Sequence, residues 1–175
     1  MKILQTAIAT RLAMVFLAAL VNSGYAQTNI PNPLVDYRGF ARIVEQSGNE
    51  RNSRLLNEAQ FLAVMTDPEV IVLDARSTSM YVLRHINGAI NLPFTEFTET
   101  ALARAIPDKT RKILIYCNNN FLGSPRAFAT KVPAASLNLS TYTALKAYGY
   151  TNLFELGPLL DVRKTSIPFA GKELP

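Results

Sequence analysis

Short apolar runs alternate with amphipathic segments between residues 54 and 169. The runs are short, and the one at residues 113–116 shows no alternation, so they predict strands of a parallel sheet, of which those at residues 70–73 and 113–116 are buried. We place these strands at residues 55–56, 70–73, 89–92, 113–116 and 152–156. Strands that alternate with helices are joined by right-handed crossovers, and the chain is therefore predicted to be an α/β domain.

Capping residues and breakers set the predicted helices between these strands. Asn57, with Gln60 three residues later, has the pattern of a capping box. Gly149 lies where a helix C-terminal cap is expected, because glycine adopts the left-handed conformation there. The helices are predicted over residues 57–66, 77–83, 95–106, 124–131 and 140–148, with a last one after Pro158.

The N-terminal region has the pattern of an export signal. Lys2 and Arg11 precede a ten-residue apolar run at residues 12–21, and small residues end at Ala26. We interpret residues 1–26 as a signal peptide that is cut before Gln27, which predicts a periplasmic or secreted protein. A bilayer span needs about 20 residues, so no stable membrane span is expected after cleavage.

The domain itself is predicted over residues 54–169. Residues 27–53 read as an N-terminal extension or linker, with a polar loop at residues 47–53, and residues 170–175 read as a C-terminal tail.

The strand at residues 113–116 leads directly into Cys117, the only cysteine, and then into three asparagines. Asparagine tolerates left-handed backbone and bonds to nearby main chain, so Asn118, Asn119 and Asn120 predict a tight loop. Ligands of open α/β sheets bind at the carboxyl ends of the strands. We therefore expect the Cys117 thiol to be exposed at that edge among main-chain amides, as a nucleophile. The alternative is a buried cysteine that only packs.

A reactive thiolate needs groups that stabilise its negative charge. Loop amides and a helix N-terminus can do this without a charged side chain. Two predicted helices follow the cysteine, one from Ser124 and one from near Ser140, and we expect one of them to point at Cys117. The asparagines at 118–120 are candidates for binding a substrate through main-chain or side-chain N–H groups, or they only permit the turn.

Two arginines are candidates for binding an anionic substrate. Arg76 leaves the strand at residues 70–73 at the same edge as Cys117, although a buried pair with Asp74 is an equal alternative. Arg126 lies in the long segment that follows the cysteine and could fold over the site, or it could be a solvated loop charge.

Composition narrows the remaining classes of function. The 175 residues are 49% hydrophobic, which suits one domain with a substantial core. The net charge is +5, but the basic residues are scattered, so nucleic-acid binding is not expected. One cysteine excludes an internal disulfide, and with one histidine it leaves no spaced set of metal ligands. We expect neither a metal nor a cofactor.

Five segments in the same order resemble rhodanese-like domains. They are a strand followed by D-x-R, a segment similar to H-I-P-G-A-I-N-I-P, a strand that ends in the family's catalytic cysteine, and closing G-Y-x-N-V and G-G segments. Their counterparts here are residues 70–76 (VIVLDAR), 85–93 (HINGAINLP), 113–117 (ILIYC), 148–154 (YGYTNLF) and 156–158 (LGP).

The resemblance implies a rhodanese-like three-layer fold, with a parallel sheet of about five strands and helices on both faces. It also implies a sulfurtransferase, in which Cys117 takes sulfur from a small donor such as thiosulfate as a persulfide and passes it to a thiol or another thiophilic acceptor. The loop amides of the family correspond to those that begin at Asn118.

The chain departs from the family pattern after the cysteine. Eight residues separate Cys117 from Arg126, and 32 positions separate Cys117 from Gly149, so the active-site loop carries an insertion. The anion-binding arginine of the family loop has no assigned counterpart.

Two other functions therefore stay open. One is a catalytically silent binding or regulatory module, in which the loop at residues 118–138 recognises a protein or small ligand. The other, ranked last, is a cysteine phosphatase or arsenate reductase. Such an enzyme needs an arginine separated from the nucleophile by five residues, and this chain has Gly123 at that position.

Overall fold

The computed structural model describes residues 32–173 of the chain, and a compact unit begins at Tyr37. Strands and helices alternate through most of it, as the pattern of apolar runs predicts. The strands are β1 (Leu55–Leu56), β2 (Ile71–Asp74), β3 (His85–Ile86), β4 (Ile90–Asn91), β5 (Ile113–Tyr116), β6 (Phe121–Leu122), β7 (Leu153–Leu156), β8 (Leu160–Asp161) and β9 (Phe169–Ala170).

Five helices accompany the strands. They are α1 (Tyr37–Arg51), α2 (Glu58–Met65), α3 (Thr78–Leu83), α4 (Glu99–Ala105) and α5 (Leu137–Ala147). The predicted capping box is present, since Asn57 and Gln60 exchange two main-chain to side-chain hydrogen bonds of 2.9 Å. Gly149 follows α5 with a φ of +86°, as expected for a C-terminal cap. Among residues 32–173, none of these helices is both long and apolar enough to cross a bilayer.

The central sheet is parallel, with the strand order β1-β7-β5-β2-β4. All four residues of β5 are buried, so the predicted cysteine-bearing strand is the middle of the sheet. In the register of β2 and β5, Asp74 lies opposite Tyr116. The two residues that follow each strand, including Cys117 and Arg76, therefore emerge at the same edge. The predicted α/β class is confirmed.

The sheet packs between two layers of helices, with one apolar core on each of its faces. On one face of the sheet, Leu114 and Tyr116 of β5 pack in a cluster that includes Phe61 of α2. On the other face, Ile113 and Ile115 pack with side chains from α4 and α5. Because side chains alternate along a strand, Tyr116 and Cys117 are directed to opposite faces.

Two predicted helices are wrong. Residues 124–131 contain one turn, closed by the bond from the Phe128 N–H to the Ser124 carbonyl, and then continue without helix. The segment after Pro158 contains β8, which pairs in parallel with β6. In the segment after Pro158, the pairing of Leu160 with Phe121 overrides the local pattern. In residues 124–131, the carbonyls of Ala127 and Ala129 bind distant side chains, those of Arg76 and Asn118.

The predicted polar loop at residues 47–53 is also wrong, because α1 runs through Arg51 and continues as a 3₁₀ turn to Arg54. Ser47 of α1 is buried, and Arg51 forms an ion pair with the fully buried Glu155 of β7. The proposed signal peptide at residues 1–26 and the start of the linker lie outside the described residues.

Candidate active site

Cys117 follows β5 directly, at the carboxyl edge of the central sheet, as predicted. The three asparagines after it form a 3₁₀ turn, Asn118–Asn120, that bends the chain back over the cysteine. Within this turn the Asn119 N–H donates to the Cys117 Sγ at 3.3 Å. One main-chain amide, that of Asn119, therefore contacts the sulfur, as expected.

The expected exposure of the thiol is wrong, since Cys117 is 1% exposed. We attribute this burial to residues 129–136, which we call the shielding segment, since Ser136 contacts the sulfur. Asn118 donates from its side chain to the Ala129 carbonyl, and Asn119 exchanges two hydrogen bonds of 2.8 and 2.9 Å with the main chain of Lys131. These bonds hold the shielding segment against the cysteine loop.

Asn120 has a different role from its two neighbours. Its side-chain oxygen accepts the Cys117 N–H at 2.9 Å, and its side-chain N–H group donates to the Leu156 carbonyl at 2.7 Å. The side chain thus joins the cysteine main chain to the end of β7. All three asparagine side chains donate to main-chain carbonyls.

The N-terminus of α5 lies beside the thiol, which agrees with the expectation that a helix after the cysteine points at it. Ser136 is the N-cap residue of α5, yet it forms no capping hydrogen bond. Its Oγ instead lies 3.5 Å from the Cys117 Sγ. Asn138, in the first turn, donates to the side-chain oxygen of Asn120 at 3.2 Å. Two contacts therefore tie the start of α5 to the cysteine loop.

Sequence reasoning missed Ser136, because it placed the start of this helix near Ser140. The signal was present: a serine directly before an apolar periodic segment is a common N-cap. The insertion after Cys117 obscured that signal, since no family motif marks the segment.

Arg76 is not available to a ligand, and the alternative of a buried pair is the correct one. The residue is 2% exposed and its Nε donates to the Asp74 carboxylate at 2.9 Å. Other donors of the guanidinium reach the carbonyls of Ala127 and Arg84 at 2.7 and 2.9 Å. Arg76 packs over the Phe128 ring on the Tyr116 side of the sheet, opposite to the side that holds the Cys117 thiol.

The pKa values of Arg76 and Tyr116 are shifted from their ordinary values. Burial lowers the pKa of Arg76, but the hydrogen bonds and charge of Asp74 outweigh it and the net pKa is raised. Burial, with the nearby charge of Asp74, raises the pKa of Tyr116 well above its ordinary value. The hydroxyl of Tyr116 donates to the Asp74 carboxylate and accepts the Ile86 N–H at 3.1 Å. Asp74, Arg76 and Tyr116 thus form a structural network.

Arg126 is not brought to the thiol either. Its side chain is 77% exposed and forms an ion pair with Glu173 at 3.3 Å. Glu173 also accepts a hydrogen bond from Ser124 at 3.0 Å, so the C-terminal segment fixes the turn that carries Arg126.

Position 123 does not have space for an oxyanion-binding arginine. Gly123 has a φ of +87°, and a Cβ atom there would lie 2.8 Å from a carboxylate oxygen of Asp161. The geometry therefore gives no support to the phosphatase or arsenate reductase alternative.

The comparisons with known proteins agree with this fold. The model of the rhodanese-like domain family matches residues 57–158, more than half of the chain. The chain belongs to the rhodanese-like domain family, and the resemblance seen in the five motifs is confirmed.

Particular relatives can be named. Over 90 residues the chain is 31% identical to the thiosulfate sulfurtransferase PspE of Escherichia coli (strain K12), a match that covers 51% of this chain and 71% of that protein. Among solved structures, a rhodanese with anions from E. coli matches at 25% identity and a TM-score of 0.40, covering 59% of this chain and 99% of the other. The rhodanese-like domain of the Anabaena sp. protein Alr3790 matches at 18% identity and a TM-score of 0.47, covering 69% and 80%.

Proposed function

We propose that this protein is an exported sulfurtransferase that carries sulfur as a persulfide on Cys117. The thiolate attacks the outer sulfur of a donor such as thiosulfate, a sulfur–sulfur bond forms, and sulfite leaves with the electron pair of the broken bond. A thiol or cyanide then attacks the outer sulfur of the persulfide, which restores the Cys117 thiolate. Neither step needs a metal, a cofactor or an external oxidant.

The observation that carries the proposal is the environment of the Cys117 sulfur. It lies at the ligand-binding edge of the sheet, it accepts the Asn119 N–H, and it contacts Ser136 at the N-terminus of α5. Hydrogen-bond donors and a helix N-terminus both favour a negative sulfur. The match to a thiosulfate sulfurtransferase supports the same chemistry.

The donor reaches the thiol when the shielding segment moves. Lys131 and Val132 in this segment are exposed, and Val132 is 70% exposed, so little apolar area holds the segment down. Once it moves, the Cys117 sulfur and the Asn119 N–H that contacts it face the donor. Arg126 is the exposed arginine of the same region, and we keep it as a candidate for attracting an anionic donor.

Intact mass measurement tests the proposal. The mature protein is incubated with thiosulfate, and a gain of one sulfur atom is expected, which cyanide then removes as thiocyanate. Cys117→Ser should gain nothing. A wild-type protein that takes up no sulfur from thiosulfate or from a small organic persulfide contradicts the proposal, and incubation with an aryl phosphate tests the phosphatase alternative in the same preparation.

A silent binding module is the second candidate, and the buried thiol favours it specifically. In this case the loop at residues 118–138 binds a protein or small ligand, and Cys117 packs. The two candidates differ in one measurement: a binding module keeps its mass in the experiment above even after the shielding segment is loosened by Asn119→Ala.

Export is also part of the proposal. We infer that residues 1–26 direct the chain across the inner membrane and that the mature protein begins at Gln27, in the periplasm or outside the cell. The mass of the protein recovered from a periplasmic fraction tests this, since an uncut N-terminus contradicts cleavage.

A further inference from the structure

Ser136 holds an unusual position for an N-cap residue. Serine at this place normally accepts a main-chain N–H of the first helical turn. Here the side chain forms no such bond, and its Oγ lies 3.5 Å from the Cys117 Sγ. The backbone of Ser136, with φ −56° and ψ 130°, starts the helix without help from the hydroxyl. The hydroxyl is therefore free to act on the thiol.

The surroundings of the sulfur make this contact important. Arg76 is directed to the other face of the sheet, and Arg126 pairs with Glu173. The donor besides Ser136 that contacts the sulfur within the described residues is the Asn119 N–H. Asn138 and Asn120 fix the start of α5 against the cysteine loop, so the Ser136 hydroxyl is held near the sulfur by more than its own contact.

We propose that Ser136 is a catalytic residue of the sulfur transfer, which donates its O–H to the Cys117 sulfur whenever that sulfur is negative. This inference rests on the proposed function and deepens it. The sulfur is negative at two points: as the attacking thiolate before the persulfide forms, and as the leaving thiolate when the acceptor takes the outer sulfur. Ser136 and the Asn119 N–H supply the hydrogen bonds that stabilise this charge.

The charge-assisted bond predicts a change in thiolate reactivity. Iodoacetamide reacts with the thiolate, so the ratio of the alkylation rates at pH 7 and pH 10 measures how well the protein stabilises that form. Loss of one hydrogen bond to a charged group should lower this ratio about tenfold in Ser136→Ala. The ratio cancels any change in accessibility, because looser packing raises both rates together.

Further variants test whether the change in ratio comes from the loss of the Ser136 hydroxyl. Ser136→Thr keeps a hydroxyl and should retain the wild-type ratio. Ser136→Gly removes the hydroxyl at little cost to an N-cap, so it serves if the alanine variant folds poorly. Ser140→Ala, one turn further along α5, is the matched control and should leave the ratio unchanged.

The transfer reaction supplies a second readout. A stabilised thiolate is a better leaving group, so Ser136→Ala should slow the discharge of preformed persulfide by cyanide about threefold. An unchanged alkylation ratio in both Ser136→Ala and Ser136→Gly overturns the role of Ser136. If the wild-type protein accepts no sulfur but the alkylation ratio still falls in Ser136→Ala, the proposed function is overturned. The contact with Ser136 then stands only as a property of the thiol.

Discussion

At the end of β5, the consecutive residues Tyr116 and Cys117 direct their side chains to opposite faces of the sheet. Tyr116 enters the core with Asp74 and Arg76, and Cys117 contacts Ser136 on the other side of the sheet. A strand alternates its side chains by construction, so neighbouring residues can serve such different purposes. Proximity in sequence to the cysteine, or a place at the same sheet edge, is therefore not enough to assign a substrate-binding arginine.

Arg76 should contribute to the free energy of unfolding. Arg76→Leu removes the cation and leaves the Asp74 carboxylate buried at 0% exposure, which should cost about 3–5 kcal/mol. Urea unfolding followed by circular dichroism measures this cost. Arg126→Leu, which breaks an exposed pair, is the matched control and should cost less than about 1 kcal/mol. Equal costs for the two variants would contradict the structural role.

Asn119 should control access to the thiol. Its side chain forms two hydrogen bonds with the main chain of Lys131, so Asn119→Ala weakens the attachment of the shielding segment. Each such bond contributes about 1 kcal/mol, and the rate of Cys117 alkylation should rise at least tenfold. Asn152→Ala, which removes a bond to Thr110 at the amino end of the sheet, is the control. If both variants are alkylated at the wild-type rate, another contact holds the segment closed.

The position of Cys117 could be predicted because it depends on one strand and the loop directly after it. Its exposure could not, since the shielding segment is attached from residues 129–136 through side chains of Asn118 and Asn119. Asparagine was correctly expected to bond to main chain, but the partners lie 11 and 12 positions away rather than within the turn. The sequence contains no periodic pattern that pairs these two segments.

At the scale of elements, α1 shows how tertiary contacts decide a helix. Its sequence is polar and contains two glycines, which alone argue for a loop. The helix forms where it docks on α5, through Lys146 and Glu50 at 2.9 Å, and on β7, through the pair of Arg51 with Glu155. Most helical stability in proteins comes from such packing rather than from intrinsic propensity.

Arg51 should therefore hold α1 in place. Arg51→Met leaves Glu155 at 0% exposure without its cation, and the variant should lose about 3–5 kcal/mol of the free energy of unfolding. Limited proteolysis should then cut within residues 37–51. Arg42→Met, on the same helix and exposed, should do neither. The double variant Arg51→Met/Glu155→Gln should recover part of the loss, because it no longer buries a charge. No recovery would show that packing, not charge, dominates.

The two helices that were predicted wrongly fail because contacts with distant segments replace the local pattern. Ser124-Pro125 has the composition of a helix start, and Leu159 and Leu160 suit a helix face. Instead Leu160 pairs with Phe121 in the β6–β8 ladder. In residues 124–131, the carbonyls of Ala127 and Ala129 accept hydrogen bonds from the side chains of Arg76 and Asn118. A parallel pairing between segments 39 residues apart in register leaves no local signature. The alternation of strands and helices, in contrast, predicts a parallel central sheet, although it does not predict the strand order.

At the scale of the whole molecule, the two cores on either side of the sheet bury tyrosine hydroxyls as well as apolar groups. Burial is the main reason that the pKa values of Tyr81, Tyr116 and Tyr150 are raised. Burial and the nearby charge of Glu50 raise the pKa of Tyr142 to about 12. The fold thus favours the protonated form of all four side chains.

Alkaline pH should therefore unfold the protein through these tyrosines. A pKa that is higher in the folded state than in the unfolded state, where it is about 10, contributes stability that is complete below pH 10. For Tyr142 this contribution is lost as the pH rises from about 10 through the folded value of about 12. Urea midpoints measured at intervals between pH 8 and pH 12 should show the decline.

Two variants assign the decline to buried hydroxyls. Tyr142→Phe cannot ionise, so its urea midpoint should fall less steeply above pH 10 than that of the wild type. Tyr37→Phe, at a position that is 76% exposed, is the matched control and should follow the wild-type curve. Parallel curves for all three proteins would mean that Tyr142 is not coupled to folding, and that the decline comes from the other tyrosines or from the general loss of positive charge.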